Sequence, residues 1–130
     1  MKRLSPNEKW NRFNKKLEEL MKSNDFYGLG VIYQEMANFL NNEGKDSKEM
    51  LNKAHEMKLT HHRNYIKNLR YDSPICVGVE VRCTDDSCRS CKSLQGKVFD
   101  FDKAIETNPL PVRNCSHEYG CRCVYLPVAN

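Results

Sequence analysis

The chain has 130 residues, of which 29% are charged and 39% are hydrophobic, and its net charge is +4. This length suits one domain with a small appendage, and no apolar run approaches the ~20 residues that a membrane-spanning helix requires. The basic N-terminus has no apolar segment behind it, so we expect no secretory signal and a cytoplasmic location.

The first two predicted helices have recognisable ends. Ser5 is a suitable N-cap for a helix that begins at Pro6, and Glu8 follows the cap at capping-box spacing. A second helix is predicted from Phe26 to the residues before Gly44, because glycine commonly follows a helix C-terminus. In both segments apolar residues recur at spacings of three and four, which is typical of helices with one buried face.

A third helix is predicted from about residue 46 to Arg70, either continuous or restarting near Thr60. Pro74 ends the helical half of the chain, because proline disfavours helix at the residue before it. The adjacent His61, His62 and Arg63 are typical of a solvated helical surface rather than of a catalytic site. One face of this helix is predicted to consist of Leu51, Ala54, Lys58, His62, Tyr65, Ile66 and Leu69.

Beyond that boundary, apolar residues alternate with small or polar ones, which predicts a strand with one buried face. A second strand is predicted over 96–101, and one or two helical turns over 102–108. A last strand is predicted over 123–128, where Pro127 indicates a sheet edge. The buried face of the first strand is expected to consist of Ile75, Val77, Val79 and Val81.

These elements predict an α+β protein with two parts. Residues 1–73 are expected to form a helical bundle or hairpin, and residues 74–130 a small β-rich module. The first part holds 14 Lys/Arg and 10 Asp/Glu, which gives +4, whereas the second holds seven of each, which gives zero. Excess positive charge, on which phosphate binding depends first, is therefore confined to the helical part.

All seven cysteines lie in the second part. An odd number leaves one thiol outside any closed set of disulfides, and in a reducing compartment such a cluster more often binds metal. Zn²⁺ takes four Cys or His ligands in a tetrahedron, and the C-x-x-C formed by Cys88 and Cys91 can supply two of them. We therefore predict one structural zinc ion per chain, in a zinc-finger module of the treble-clef or ribbon-like kind.

The second pair of ligands is expected near the end of the chain. Cys121 and Cys123 form a strand-like C-x-C, in which alternate side chains point to opposite faces. We therefore favour Cys115 and Cys121, with Cys123 as the substitute, and we expect His117 to be a loop histidine. The candidate metal ligands are Cys88, Cys91, Cys115, Cys121 and Cys123.

Two further cysteines flank the first predicted strand. Cys76 is most simply a small buried residue, since free cysteine packs like a small hydrophobic side chain. Cys83 follows the strand and is a spare candidate for the metal site.

Ten positions between the C-x-x-C and the final C-R-C form a recognisable pattern: Cys88, Cys91, Leu94, Gly96, Lys97, Val98, Phe99, Cys121, Arg122 and Cys123. This pattern resembles the C-terminal motif of Mu-type phage minor head (head morphogenesis) proteins. That family usually has a histidine three residues before its C-R-C, whereas His117 here precedes Cys121 by four and Cys115 comes before it. The resemblance implies a small metal-stabilised module of phage or mobile-element origin.

Catalytic alternatives have less support in the sequence. A thioredoxin-like C-x-x-C begins a helix within a βαβ unit, and no long helix is predicted after Cys91. An HNH-type nuclease would need a pair of metal-binding histidines beside the structural zinc, which His117 alone does not supply. Asp85 and Asp86 lie in the loop of the C-x-x-C, and Asp100 is expected to cap a helix. We predict no catalytic residues and expect a protein that is not an enzyme.

The sequence thus predicts a non-enzymatic, zinc-stabilised binding or assembly module. Its expected partner is another protein, with no membrane and no small-molecule substrate. Two alternatives stay open: a thiol redox protein, and a nucleic-acid-binding protein that uses basic helices. The basic residues of those helices are Lys9, Arg12, Lys15, Lys16, Lys58, Arg63, Lys67 and Arg70.

Overall fold

The computed structural model describes residues 5–112 and 120–129. Helices and a small three-stranded antiparallel sheet make up the described part, so the predicted α+β class is confirmed. None of these helices combines the length and the apolar character needed to cross a membrane. The elements in chain order are α1 (Pro6–Lys22), α2 (Phe26–Asn42), α3 (Lys48–Asp72), β1 (Cys76–Arg82), α4 (Arg89–Lys92), β2 (Val98–Asp100), α5 (Phe101–Thr107) and β3 (Val124–Ala129).

The chain divides into two compact units, Met1–Met57 and Lys58–Asn130. We call them the helical unit and the cysteine unit, because all seven cysteines belong to the second. The last part of α3 belongs to the cysteine unit. The domain boundary predicted after residue 73 stays a prediction.

Side-chain caps fix the starts of the helices in the helical unit. Ser5 caps α1, since its Oγ accepts a hydrogen bond from the backbone N–H of Glu8 at 3.2 Å, as the capping box predicted. Asp25 caps α2 in the same way, with the N–H of Gly28 donating to Oδ1 at 2.9 Å.

The core of the helical unit consists of hydrocarbon and aromatic side chains. Trp10, the sole tryptophan of the chain, packs beside it, with its ring centroid 6.0 Å from that of Phe39. Leu51, predicted for the buried face of α3, is exposed instead. The buried members of this core are Leu17, Leu29, Tyr33, Met36 and Ala54.

The sheet of the cysteine unit has the order β2-β1-β3, with both pairs antiparallel. β3 is an edge strand, as Pro127 indicated. On β1, Val79 and Val81 are fully buried, and Val81 lies opposite Tyr125 of β3. A Cβ on Gly78 would lie 2.3 Å from the carbonyl oxygen of Phe99, so only glycine permits this approach of β1 to β2.

The buried face predicted for the first strand is correct only in its second half. Ile75 precedes β1 and is 70% exposed, and Val77 is 47% exposed. The pairing of β1 with β3 is irregular between Cys76 and Gly78. Such an irregularity disturbs the alternation of faces on which the prediction relied.

Two side chains of α3 that ordinarily favour water are buried in the cysteine unit. Lys58 is 3% exposed and His62 is 2% exposed. The interpretation of the His61–Arg63 run as a solvated surface is therefore wrong for His62. The helical spacing that placed both residues on one face with Ile66 was the better guide, since all three are buried.

Candidate metal centre

Three cysteines that are distant in sequence converge in the cysteine unit. The Sγ atoms of Cys91, Cys121 and Cys123 all lie within 4.8 Å of one another, and all three side chains are buried. They belong to a core that also includes Val79, Val81 and other apolar residues. Soft thiol donors in an apolar surrounding suit zinc better than hard, oxygen-preferring cations.

Short local structures bring these three thiols together. Cys91 lies in α4, a single turn of helix that the sequence analysis did not predict. The N–H of Gly96 donates to the carbonyl of Val81 at 2.9 Å, and the N–H of Val81 donates to the carbonyl of Lys97 at 2.9 Å. These bonds hold the turn after α4 against the end of β1.

The expectation that Cys121 and Cys123 point to opposite faces is wrong. It assumed that both residues lie in a strand, where side chains alternate. β3 begins only at Val124, and residues 120–123 have irregular backbone. Outside the strand, both sulfur atoms reach the same cluster.

The geometry of the cluster suits a tetrahedral ion. With Zn–S bonds of about 2.3 Å, two sulfur atoms of a tetrahedral site lie about 3.8 Å apart. The Sγ atoms of Cys91 and Cys121 lie 3.8 Å apart. This pair is therefore already spaced as one edge of a zinc–thiolate tetrahedron.

Cys83 lies against this group. Its Sγ is 2.7 Å from the Sγ of Cys123 and donates to the carbonyl oxygen of Cys91 at 3.1 Å. Its backbone N–H donates to Oε1 of Gln95 at 2.6 Å, which fixes the start of the loop after β1. The sequence placed Cys83 only as a spare ligand.

The other predicted site residues are placed differently. Cys88 is the N-cap residue of α4 and is half-buried beside the core, outside the group of three converging thiols. Cys76, also half-buried, packs against the same core. The predicted ligand Cys115 and the loop histidine His117 lie outside the described residues.

Burial controls the protonation of this site. Desolvation raises the pKa of the Cys123 thiol far above its ordinary value, and its hydrogen bond with Cys83 acts in the same direction. Burial also raises the pKa of Tyr125 to about 12, and this hydroxyl accepts a hydrogen bond from the N–H of Leu110 at 3.1 Å. Without an ion, Cys123 is therefore a protonated thiol, and metal binding must release its proton.

A buried cation lies beside the thiols. The Nζ of Lys58 donates to the carbonyl oxygen of Cys121 at 2.9 Å. An ammonium group out of water is costly unless negative charge lies near it. Sequence reasoning placed Lys58 on the apolar face of α3 and among the basic surface residues, and only the first placement agrees with the structure.

His62 is buried next to the same region. Its ring meets the ring of Tyr125 edge-on, with centroids 5.3 Å apart. Desolvation, with smaller effects of His61 and Lys58, lowers the pKa of His62 to about 3. The imidazole is therefore neutral at physiological pH. Its Nε2 has no hydrogen-bond partner among the described residues.

An ion pair joins the two segments that supply the thiols. The guanidinium of Arg122, between Cys121 and Cys123, pairs with the carboxylate of Asp86 in the loop before α4. The Asp100 carboxylate caps α5, as predicted, by accepting from the N–H of Lys103 at 2.7 Å. These two aspartates therefore have structural partners.

The local fold differs from that of a thioredoxin-like redox site. α4 has only four residues, and the strands around it are antiparallel rather than the parallel pair of a βαβ unit. All six described cysteines are thiols, with no disulfide among them.

Neither a protein family, nor a curated protein, nor a solved structure was found to match this chain.

Proposed function

We propose that the cysteine unit is a zinc-stabilised, treble-clef or ribbon-like module, and that the protein acts as a non-enzymatic binding or assembly module in the cytoplasm. The observation that carries this proposal is the convergence of the buried thiols of Cys91, Cys121 and Cys123. The antiparallel pairing of β1 with β2, whose connection carries Cys91 on a one-turn helix, is compatible with such a module.

The charge around the thiols supports a metal-bound state. Zn²⁺ with three thiolates carries a net charge of −1, and with four thiolates −2, because thiolates bind metal deprotonated. The ammonium of Lys58, held at the Cys121 carbonyl, supplies compensating positive charge inside the unit.

A site closed by protein ligands leaves no coordination position for water or substrate, which favours a structural ion over a catalytic one. The protein would then act through its surface, and we propose another protein as its partner. The resemblance to phage minor head proteins supports an origin in a mobile element and a role in assembly.

The test is the metal content of protein purified without chelator, measured by elemental analysis on the wild type and two variants. We expect about one zinc per chain in the wild type and in Cys76→Ser, a half-buried thiol outside the cluster. Cys91→Ser should lose the ion, because a buried ligand is removed. Absence of metal from the wild type, or equal zinc in both variants, would contradict the proposal.

A second candidate function, nucleic-acid binding, is favoured by one observation. Lys9, Arg12 and Lys15 of α1 are all exposed. The second basic helix contributes less than predicted, because Lys58 is buried and Arg70 pairs with Asp102 at 2.9 Å. A mobility-shift series at two salt concentrations separates the candidates. Binding with a steep salt dependence would favour nucleic acid, and absence of binding at low salt would exclude it.

A further inference from the structure

We infer that Cys83 is the fourth ligand of the metal centre, so that Cys83, Cys91, Cys121 and Cys123 form a closed four-thiolate site. This inference rests on the proposed zinc function. It replaces the C-x-x-C pair expected from the sequence by a pair eight residues apart, Cys83 and Cys91.

Contacts of the Cys83 sulfur atom carry the inference. Cys83 Sγ lies 2.7 Å from Cys123 Sγ and 3.1 Å from the Cys91 carbonyl oxygen, so it touches two of the three converging residues. A tetrahedron of sulfur atoms around zinc needs about 3.8 Å between neighbours. Cys83 Sγ lies outside the group of three sulfur atoms that are mutually within 4.8 Å. To admit an ion, Cys83 and Cys123 therefore need to separate by about 1 Å, and the Cys83 side chain needs to turn toward the other thiols.

The backbone around Cys83 explains why its side chain faces the cluster. Cys83 directly follows β1, which ends at Arg82, and lies two residues beyond the fully buried Val81. The hydrogen bond from the Cys83 N–H to Gln95 then anchors this residue beside the turn that follows α4. Cys91 lies in α4 itself, so the residue after β1 and helix α4 each contribute one thiol.

Four thiolates have a consequence for function. A site with three thiolates and water would retain an open position and Lewis-acid chemistry, whereas four thiolates close the coordination sphere. With Cys83 as a ligand, Zn²⁺ and its four thiolates together carry a net charge of −2, and the buried ammonium of Lys58 offsets part of it.

The experiment replaces zinc by Co²⁺ in the full chain and compares Cys83→Ser, Cys88→Ser and Cys115→Ser with the wild type. The thiolate-to-cobalt charge-transfer absorbance scales with the number of Co–S bonds. Cys83→Ser should therefore lose about one quarter of it. Its Co²⁺ affinity, measured by competition with a chromophoric chelator, should fall at least about tenfold. The other two variants should retain both properties.

A second measurement needs no variant and decides the matter if Cys83→Ser does not fold. The wild-type protein is alkylated with N-ethylmaleimide with and without bound Zn²⁺, and each modified cysteine is identified by mass spectrometry. Cys83 and Cys76 are both half-buried, so burial alone predicts similar reactivity. We expect Zn²⁺ to protect Cys83 much more strongly than Cys76.

Two kinds of failure are distinguishable. Full charge-transfer intensity in Cys83→Ser, or alkylation of Cys83 at the rate of Cys76 in the zinc-bound protein, overturns the inference and leaves the proposed metal module intact. A loss of one quarter of the intensity in Cys88→Ser or Cys115→Ser instead also overturns it. A wild-type protein that binds neither Co²⁺ nor Zn²⁺ overturns the proposed function as well.

Discussion

The two units of this chain are stabilised by different kinds of core. In the helical unit, the buried residues are aliphatic, aromatic or methionine side chains such as Leu17, Leu29 and Met36. In the cysteine unit, three of the buried core residues are the thiols of Cys91, Cys121 and Cys123, and a lysine and a histidine are buried in the same unit. The first core needs only exclusion of water, whereas the second is expected to need an ion.

Because of this difference, the stability of the two units should depend on different solution conditions. Hydrophobic burial stabilises a unit regardless of metal supply and with little dependence on pH. A thiol cluster that holds zinc couples folding to metal concentration and to protonation. The two units should therefore respond separately to chelators, to core truncation and to acid.

Metal removal should have the largest effect. A chelator should unfold the cysteine unit, because structural zinc contributes on the order of 10 kcal/mol to folding. Amide hydrogen exchange at Val79 and Val81 should then become fast. Trp10, which packs in the helical unit, should keep its fluorescence. Equal loss of protection in both units, or in neither, would contradict the comparison.

Truncation of a core side chain in the helical unit should destabilise that unit rather than the cysteine unit. Met36 is among the most deeply buried side chains, so Met36→Ala should lower the free energy of unfolding by about 2–5 kcal/mol. Trp10 fluorescence during urea unfolding measures this loss.

The same variant should still bind one zinc per chain. Met21 is exposed, and Met21→Ala is the matched control, with an expected change within about 0.5 kcal/mol. A Met36→Ala protein that lost its zinc would show that the two cores are not independent.

Lys58→Met tests the charge beside the thiols. It keeps a long side chain and removes the ammonium that bonds to the Cys121 carbonyl. Groups that support metal ligands typically contribute 10–100-fold to affinity, so zinc affinity should fall by roughly that factor. Lys67→Met alters an exposed lysine of the same helix and should have little effect. Unchanged zinc affinity in Lys58→Met would show that the Lys58 ammonium does not support the metal site.

His62 should make the cysteine unit sensitive to mild acid. Its pKa is about 3 in the folded protein and ordinarily 6.5. Between these values the unfolded chain binds a proton that the folded chain excludes. The stability is therefore complete above pH 6.5 and decreases as the pH falls below it, by about 1.4 kcal/mol per pH unit.

At pH 5 His62 therefore lowers the free energy of unfolding by about 2 kcal/mol relative to its value above pH 6.5. His62→Leu should remove it, and unfolding measured by amide exchange of β1 should then depend less on pH than in the wild type. Wild type and His62→Leu are compared at equal metal loading, so that protonation of the thiols contributes equally to both. His61→Leu controls for the loss of a neighbouring histidine. Identical pH slopes in wild type and His62→Leu would refute this role.

The sequence predicted the helical unit well because helix signals are local. Caps such as Ser5 and the spacing of apolar residues act within a few positions of the chain. The strand with Val79 and Val81 was predicted for the same reason. The exposure of Ile75 was missed, because it depends on an irregularity in pairing with a strand some fifty residues away.

The site was predicted only in part because its geometry is not local. The C-x-x-C rule led to Cys91, which lies in the buried thiol cluster. The rule that strand residues alternate separated Cys121 from Cys123 where no strand exists. The approach of Cys83 to Cys123 depends on the pairing of β1 with β3, which no short motif encodes. For the burial of Lys58, the available sequence signal was its position on an otherwise apolar face of α3.

X-ray absorption at the zinc edge of protein purified without chelator decides whether cysteine sulfur atoms bind zinc in this protein, since it measures the atoms around the ion. We expect a shell dominated by sulfur at about 2.3 Å, lost when Cys91 is replaced by serine. A shell of oxygen and nitrogen atoms, or protein without metal in which these cysteines are disulfide-bonded, would contradict it.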